Sequence, residues 1–279
     1  DRRQRQMCIR DRIMETIMIP KVIHYCWFGG NALPSSAQKC IESWKKYCPD
    51  YEIREWNESN FDISSAPLYV QQAYDAKKWA FVTDFVRLFA VYHNGGVYLD
   101  TDVELIQNID SLLAYNAFFG YEDTHRVATG LGFGAIAGLP LLKTLMDDYM
   151  DCTFLTEDGV FDLLPCPQRN APVFEKNGLN ADGKKQILQD NILILPPEYL
   201  CPLDYQTGRM NITDQTFSIH WFSASWVDDD AKRYKRDLDR MARFVEHYNA
   251  DRFLGVMSCV KKEGLFHYVV KRIKRRLVR

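Results

Sequence analysis

The sequence predicts an α/β fold. Three features lead there: a strand–helix–strand opening over residues 22–56, a helix at 77–93 that is apolar nearly all round, and a strand entered through paired glycines directly after it. Residues 22–28 form a short, β-rich apolar run closed by Gly29-Gly30, which reads as a strand and a turn. Pro34-Ser35-Ser36 then opens a helix to about Tyr47, with Ile41 and Trp44 on one face. Residues 51–56 alternate as a strand and stop at Asn57, completing a β-α-β unit. The helix at 77–93 ends at Asn94-Gly95-Gly96, where glycine accepts a left-handed cap. A strand is expected over 97–106, with others at 118–121, 131–137 and 191–195. A helix is expected at 140–150, with Pro140 in its first turn. Residues 151–190 read as loop.

Composition narrows the function. A chain of 279 residues, 47% hydrophobic and 13% aromatic, supports one sizeable core. A net charge of -2 argues against nucleic acid as a partner. None of the eight cysteines forms a Cys-x-x-Cys pair, which removes zinc-ribbon and thioredoxin-like readings. Cys26 and Cys40 sit in apolar or helical settings that suit reduced thiols in a cytosolic protein. No apolar run is long enough to cross a membrane. Residues 1–12 are charged and hold no apolar core of a secretory leader, and residues 1–17 read as a disordered or non-native extension. The domain is expected over 18–260. Residues 261–279 form a basic tail in which Leu265, Phe266, Val269, Val270, Ile273, Leu277 and Val278 alternate with lysines and arginines. That pattern suits an anionic membrane surface, or a terminal helix docked on the domain.

The chemistry concentrates in Gly95-Gly96-Val97-Tyr98-Leu99-Asp100-Thr101-Asp102. On a strand, side chains two apart face the same way, so Asp100 and Asp102 are expected to present two carboxylates together. The end of a strand in an α/β sheet is where such folds bind ligands. Hard oxygen ligands suit Mg²⁺ or Mn²⁺, which in turn neutralises a diphosphate. Solvated acids in a turn are the other reading, but here the acids emerge directly from an apolar run. In the preceding helix, Thr83, Asp84 and Arg87 are the only strongly polar positions between residues 79 and 92. Asp84 and Arg87 share a face, and in an apolar helix they must be paired or face a polar cavity. They are either a structural ion pair or a carboxylate–guanidinium pair for vicinal hydroxyls. Trp27, at the end of the first strand, is placed either to stack a base or to fill core. Residues 218–226 carry His220, suited to metal or phosphate, with serine hydroxyls and Trp226, in a run that otherwise reads as core.

Taken together, the blocks Ile19–Gly29, Asp84-x-x-Arg87 and Gly95–Asp102 resemble glycosyltransferase family 32, the sugar-binding region containing a DXD motif. That family includes yeast initiating α-1,6-mannosyltransferases, inositol-phosphoceramide mannosyltransferases and bacterial capsular polysaccharide enzymes. The blocks are also similar to the glucosylating domain of large clostridial toxins. The resemblance covers residues 18–140 and, more weakly, the stretch from His220 to Trp226. It implies a GT-A fold, a Rossmann-like α/β domain with a mixed central sheet and helical additions, and retention of anomeric configuration. By position it implies that Trp27 stacks on the base, and that Asp84 and Arg87 bind donor-sugar hydroxyls. Asp100 would contact ribose and sugar, and Asp102 would hold the divalent cation, Mn²⁺ or Mg²⁺. His220 would complete the metal shell, and Ser225 with Trp226 would close over the leaving diphosphate. The implied donor is a UDP- or GDP-hexose, and the acceptor an oligosaccharide or lipid-linked glycan in surface or capsular polysaccharide synthesis. The expected location is cytoplasmic, peripheral on the inner face of the membrane. Competing readings are a non-catalytic nucleotide-sugar-binding module, a metal-dependent phosphohydrolase and a toxin-type protein glucosyltransferase.

Overall fold

The computed structural model describes residues 18–205 and 207–223. The extension over 1–17, the tail over 261–279, and Ser225 and Trp226 lie outside the described residues, so the domain expected over 18–260 is seen as far as Ser223.

The chain opens as β1 (Val22–Cys26), α1 (Ser35–Tyr47) and β2 (Glu52–Trp56). Two helices follow, α2 (Leu68–Asp75) and α3 (Trp79–Asn94), and then β3 (Gly96–Tyr98) and β4 (Val103–Leu105). A second half is built from β5 (Ala117–Tyr121), β6 (Val127–Ala135), α4 (Pro140–Asp147) and α5 (Cys166–Lys176). It closes with β7 (Gln186–Leu188), β8 (Ile192–Leu195), α6 (Pro197–Leu200) and β9 (Ser218–His220). Seven strands form one sheet in the order β2-β1-β3-β6-β5-β8-β7, while β4 and β9 pair in a small second sheet. Strand β1 runs parallel to β2 and β3, β5 runs parallel to β8, and β6 runs antiparallel to its neighbours. This mixed sheet with helices on both faces is the α/β architecture that the sequence predicts.

Apolar side chains bury both faces of the sheet. On one face α2, α3, α4 and α5 pack over Phe119, Tyr121 and Phe133. On the other, α1 and α6 cover Ile23, Val97, Phe118 and Leu131. Trp44 of α1 is fully buried, and its indole donates to the Val103 carbonyl at 2.7 Å. That bond ties the small sheet to helix α1.

The turn from α3 into β3 requires its glycines. Gly95 has φ +65° and Gly96 φ +109°, a region that costs L side chains energy. A Cβ on Gly95 would meet Pro20 at 2.8 Å, and one on Gly96 would meet the Val22 carbonyl at 2.7 Å. The helix C-terminus is thereby pressed against β1. His24 locks the corner: its Nε2 lies 2.9 Å from the Gly95 carbonyl, and its Nδ1 accepts from the Trp56 indole at 3.0 Å. Burial drives its pKa down to about 4.

Two expectations need correction. The strand expected over 97–106 is broken: β3 stops at Tyr98, and β4 begins at Val103 in a different sheet. The loop expected over 151–190 contains α5 and β7. Helix α5 escaped the reading because it starts on Cys166-Pro167 and carries Pro172 inside, which leaves no clean helical period.

Candidate active site

Helix α3 delivers Asp84 and Arg87 at the buried end of a polar chain. The Arg87 guanidinium, its side chain only 4% exposed, lies 3.2 Å from Asp84 Oδ1 and 3.3 Å from Asp100 Oδ1. Its Nε donates to the Thr83 carbonyl at 3.1 Å and its Nη2 to Thr83 Oγ1 at 3.2 Å. One cation therefore serves two carboxylates. The Tyr98 hydroxyl adds a 2.7 Å hydrogen bond to Asp100 Oδ1, and the Tyr98 ring sits under the guanidinium at 5.1 Å. Burial pushes both Asp84 and Asp100 up from the usual carboxylate range, and Arg87 works against it. Asp84 and Arg87 form a buried ion pair, and through Asp100 that pair adjoins the acidic turn.

Asp100 and Asp102 come together through a turn, not through strand alternation. The Val103 N–H donates to the Asp100 carbonyl at 2.9 Å, which closes the turn between the two sheets. Pairing of β4 with β9 sets Val103 opposite His220, so the imidazole arrives beside the turn from 117 residues further along the chain. His220 Nε2 lies 3.3 Å from Asp102 Oδ1. Phe222 then takes φ +48°, a left-handed conformation rare for an aromatic residue, and the chain doubles back. Ser223 consequently donates both its backbone N–H and its hydroxyl to Asp102 Oδ2, each at 2.8 Å. The Trp221 N–H donates to the Asp102 carbonyl at 3.0 Å and its indole to Glu104 at 2.9 Å. Burial alone would raise Asp102, but the His220 and Ser223 hydrogen bonds win and hold it well below the usual range. Burial alone would lower His220, yet Asp102 and Cys201 raise it to about 10.

Asp100, Asp102 and His220 each offer a ligand atom within 4.8 Å of the others. Two carboxylates and an imidazole are a donor set suited to Mn²⁺ or Mg²⁺. His220 Nδ1 is buried without a hydrogen-bond partner, and the Cys201 thiol stands near the imidazole. Nε2 is the ring nitrogen that lies beside the Asp102 carboxylate, and an imidazole in that position fits a metal ligand. A cavity of about 300 Å³ opens against Asp102, Glu104, Trp221 and Ser223.

A bulge in β6 supplies the remaining wall. Gly120 pairs with Ala128 while Phe119 pairs with Phe133, so Thr129 to Gly132 leave the ladder. A Cβ on Gly130 would meet Asp100 Oδ2 at 2.8 Å and Arg87 Nη1 at 3.0 Å, so this glycine makes room for the ion pair. The Cys166 thiol of α5 lies 3.6 Å from Arg87 Nη1 and 3.7 Å from Thr129 Oγ1.

Of the residues singled out in the sequence, Asp84, Arg87, Asp100, Asp102 and His220 are brought together. Trp27 stands past the end of β1, the parallel neighbour of β3, and so at the same end of the sheet as the acids. It is half-buried against the α1 side of the core, its indole donating to the Asn31 carbonyl at 2.6 Å. Sequence reasoning missed Tyr98, Gly130, Cys166 and Ser223. Tyr98 read as core, and Ser223 lay in the flagged run without a spacing to separate it from Ser225. Gly130 and Cys166 carry no local signal at all.

Residues 34–119, which include the acidic turn, match the family described as "Glycosyltransferase sugar-binding region containing DXD motif". The chain carries a glycosyltransferase family 32-like region. It is 36% identical over 112 residues to inositol phosphoceramide mannosyltransferase 3 of Schizosaccharomyces pombe, covering 37% of this chain and 30% of that protein. It is 33% identical over 135 residues to inositol phosphoceramide mannosyltransferase 2 of the same yeast, covering 47% of this chain and 38% of that protein. An uncharacterised glycosyltransferase of Acanthamoeba polyphaga mimivirus is 29% identical over 132 residues, with 44% of this chain and 51% of that protein covered. The chain thus spans a third to a half of the length of these curated relatives. Among solved structures, the PaToxG glycosyltransferase superposes with a TM-score of 0.46 at 16% identity, over 62% of this chain and 78% of that one.

Proposed function

We propose that this protein transfers a hexose from a UDP- or GDP-hexose to a glycan or glycolipid acceptor, with a divalent cation, Mn²⁺ or Mg²⁺, as cofactor. The observation that carries the reading is the continuous polar chain from Asp84 through Arg87 and Asp100 to Asp102 and His220. Asp102, His220 and Asp100 would hold the cation, which when bound neutralises charge building on the leaving diphosphate. Asp84 and Arg87, fixed and buried in a core helix, orient the hydroxyls of the sugar. Ser223 keeps the Asp102 carboxylate aimed, and Trp221 and Glu104 line the adjoining cavity. Trp27 takes the base, and Ser225 with Trp226 cover the diphosphate. The reaction retains anomeric configuration by a front-face path, in which the acceptor enters on the side the diphosphate leaves. Mannose is the first sugar to test and a lipid-borne acceptor the first partner, since two of the relatives are named as mannosyltransferases of inositol phosphoceramide. A role in surface or capsular polysaccharide synthesis, on the cytoplasmic face of a membrane contacted by residues 265–279, agrees with that acceptor class.

The test is hydrolysis of UDP-glucose, UDP-galactose, UDP-N-acetyl sugars and GDP-mannose with Mn²⁺, and again with chelator. One nucleotide should be released, only with metal. Asp102→Asn should lower that rate by about 10²–10³-fold while circular dichroism stays that of the wild type. Wild-type turnover in the variant removes Asp102 from the metal site.

A further inference from the structure

The cavity beside Asp102 has a second wall, built by helix α1. Two bonds fix α1 along the backbone of β4. The Ser43 hydroxyl accepts from the Leu105 N–H at 2.9 Å, and the Trp44 indole donates to the Val103 carbonyl at 2.7 Å. Residues three and four apart on a helix share a face, so Ser36, Lys39 and Cys40 continue the side of Ser43 and Trp44 towards the helix start. They meet Asp102 and Glu104 across the cavity of about 300 Å³, which Trp221 and Ser223 also line.

The acids in that cavity already have partners. Asp102 Oδ2 accepts twice from Ser223, and Glu104 accepts from the Trp221 indole at 2.9 Å. Burial pushes the Cys40 thiol up to about 12, so this wall contributes no thiolate. Lys39 is the one cation among the described residues that line the cavity, and none of the hydrogen bonds or ion pairs among the described residues involves it.

The charges of the site show what Lys39 is for. Arg87 is committed to Asp84 and Asp100. A divalent cation held by Asp100 and Asp102 has its charge matched by those two carboxylates. The negative charge of a donor diphosphate therefore calls for a further cation, and Lys39 supplies one in the same cavity as Asp102. An ammonium on a flexible stem suits a phosphate as a point charge. The chain order agrees, because Trp27, which takes the base, stands in the stretch that enters α1. The diphosphate, joining base to cation, is the part of the donor that the first turns of α1 would meet.

We propose that Lys39 is a donor-binding residue of this protein, its ammonium pairing with the diphosphate of the nucleotide sugar in the cavity beside Asp102. The inference rests on the glycosyltransferase reading and names the residue that answers the charge of the diphosphate.

Calorimetric titration of UDP and of GDP with Mn²⁺ into wild type, Lys39→Met and Lys39→Arg tests it, with Mn²⁺ titrated alone as a measure of the metal site. For the diphosphate that wild type binds, Lys39→Met should weaken affinity by about 10-fold and Lys39→Arg should recover most of that loss. Affinity for Mn²⁺ alone should stay within about 2-fold in both variants, as no metal ligand is altered. Added salt should weaken nucleotide binding more steeply in wild type than in Lys39→Met. Nucleotide affinity of Lys39→Met within about 2-fold of wild type overturns the role. So does an equal loss in both variants, which marks packing and not charge, and so does a loss of Mn²⁺ affinity as large as that for the nucleotide. Wild type that binds neither UDP nor GDP overturns the glycosyltransferase reading itself, and the role of Lys39 with it.

Discussion

The two ends of the polar chain solve the same electrostatic problem in opposite ways. At the Asp84–Arg87 end the pair itself is buried, and one guanidinium, 4% exposed, answers Asp84 and the more open Asp100, both pushed up by desolvation. At the Asp102–His220 end, the carboxylate is 18% exposed and is held down by donors from a separate sheet and a doubled-back loop. The first arrangement is rigid and built into a single core helix. The second depends on a pairing between residues more than a hundred positions apart, and it leaves an imidazole nitrogen unsatisfied. Removing one partner of a buried ion pair leaves an uncompensated charge, and the cost is greatest where burial is deepest. The Asp84–Arg87 pole is thus tied to the stability of the core, and the Asp102–His220 pole to the pairing of distant segments.

Breaking the buried pole should show the largest effect. Arg87→Met leaves Asp84 and Asp100 without their cation, and the expected loss of unfolding free energy is about 3–5 kcal/mol, read by urea titration. Asp102→Asn still accepts from Ser223 and should cost less in the same titration than Arg87→Met, while lowering activity by about 10²–10³-fold. Equal stability in the wild type and Arg87→Met would erase the distinction between the poles.

The corner under both poles answers to pH. His24 is neutral in the fold with a pKa of about 4, against 6.5 for the unfolded chain. Above about pH 6.5 neither state is protonated and His24 makes no difference. As pH falls below 6.5 the unfolded chain takes up the proton first, so stability declines until the folded pKa is reached. The total is about 3 kcal/mol. Urea titrations at pH 7 and pH 4 should show this loss in wild type and not in His24→Gln, whose amide still accepts from Trp56. The same pH dependence in both proteins would assign the decline to other groups.

The smallest effect is expected at the metal-facing pole. Ser223→Ala removes one of two donors to Asp102 Oδ2 and keeps the backbone N–H. Stability should fall by about 1 kcal/mol or less, whereas Mn²⁺ affinity should weaken by about 10-fold, as for other groups that orient a ligand. Calorimetric titration of Mn²⁺ checks this, and unchanged affinity would remove Ser223 from the site.

Much of this was legible along the chain because its signals are local. The apolar period of the helix at 79–94 marked Asp84 and Arg87 as the polar exceptions, and Gly95-Gly96 marked a tight turn into a strand. Backbone sterics and burial act over a few residues, so composition and spacing report them. What the tertiary structure decided was which side chains meet. Asp100 and Asp102 converge because β3 ends at Tyr98 and the chain turns toward a second sheet, a break that no residue between 97 and 106 announces. His220 and Ser223 reach Asp102 through strand pairing across more than a hundred residues, and Gly130 makes room for the Arg87–Asp100 pair through a bulge in β6. Pairing register and burial are properties of the assembled core, and a single stretch of sequence does not contain them.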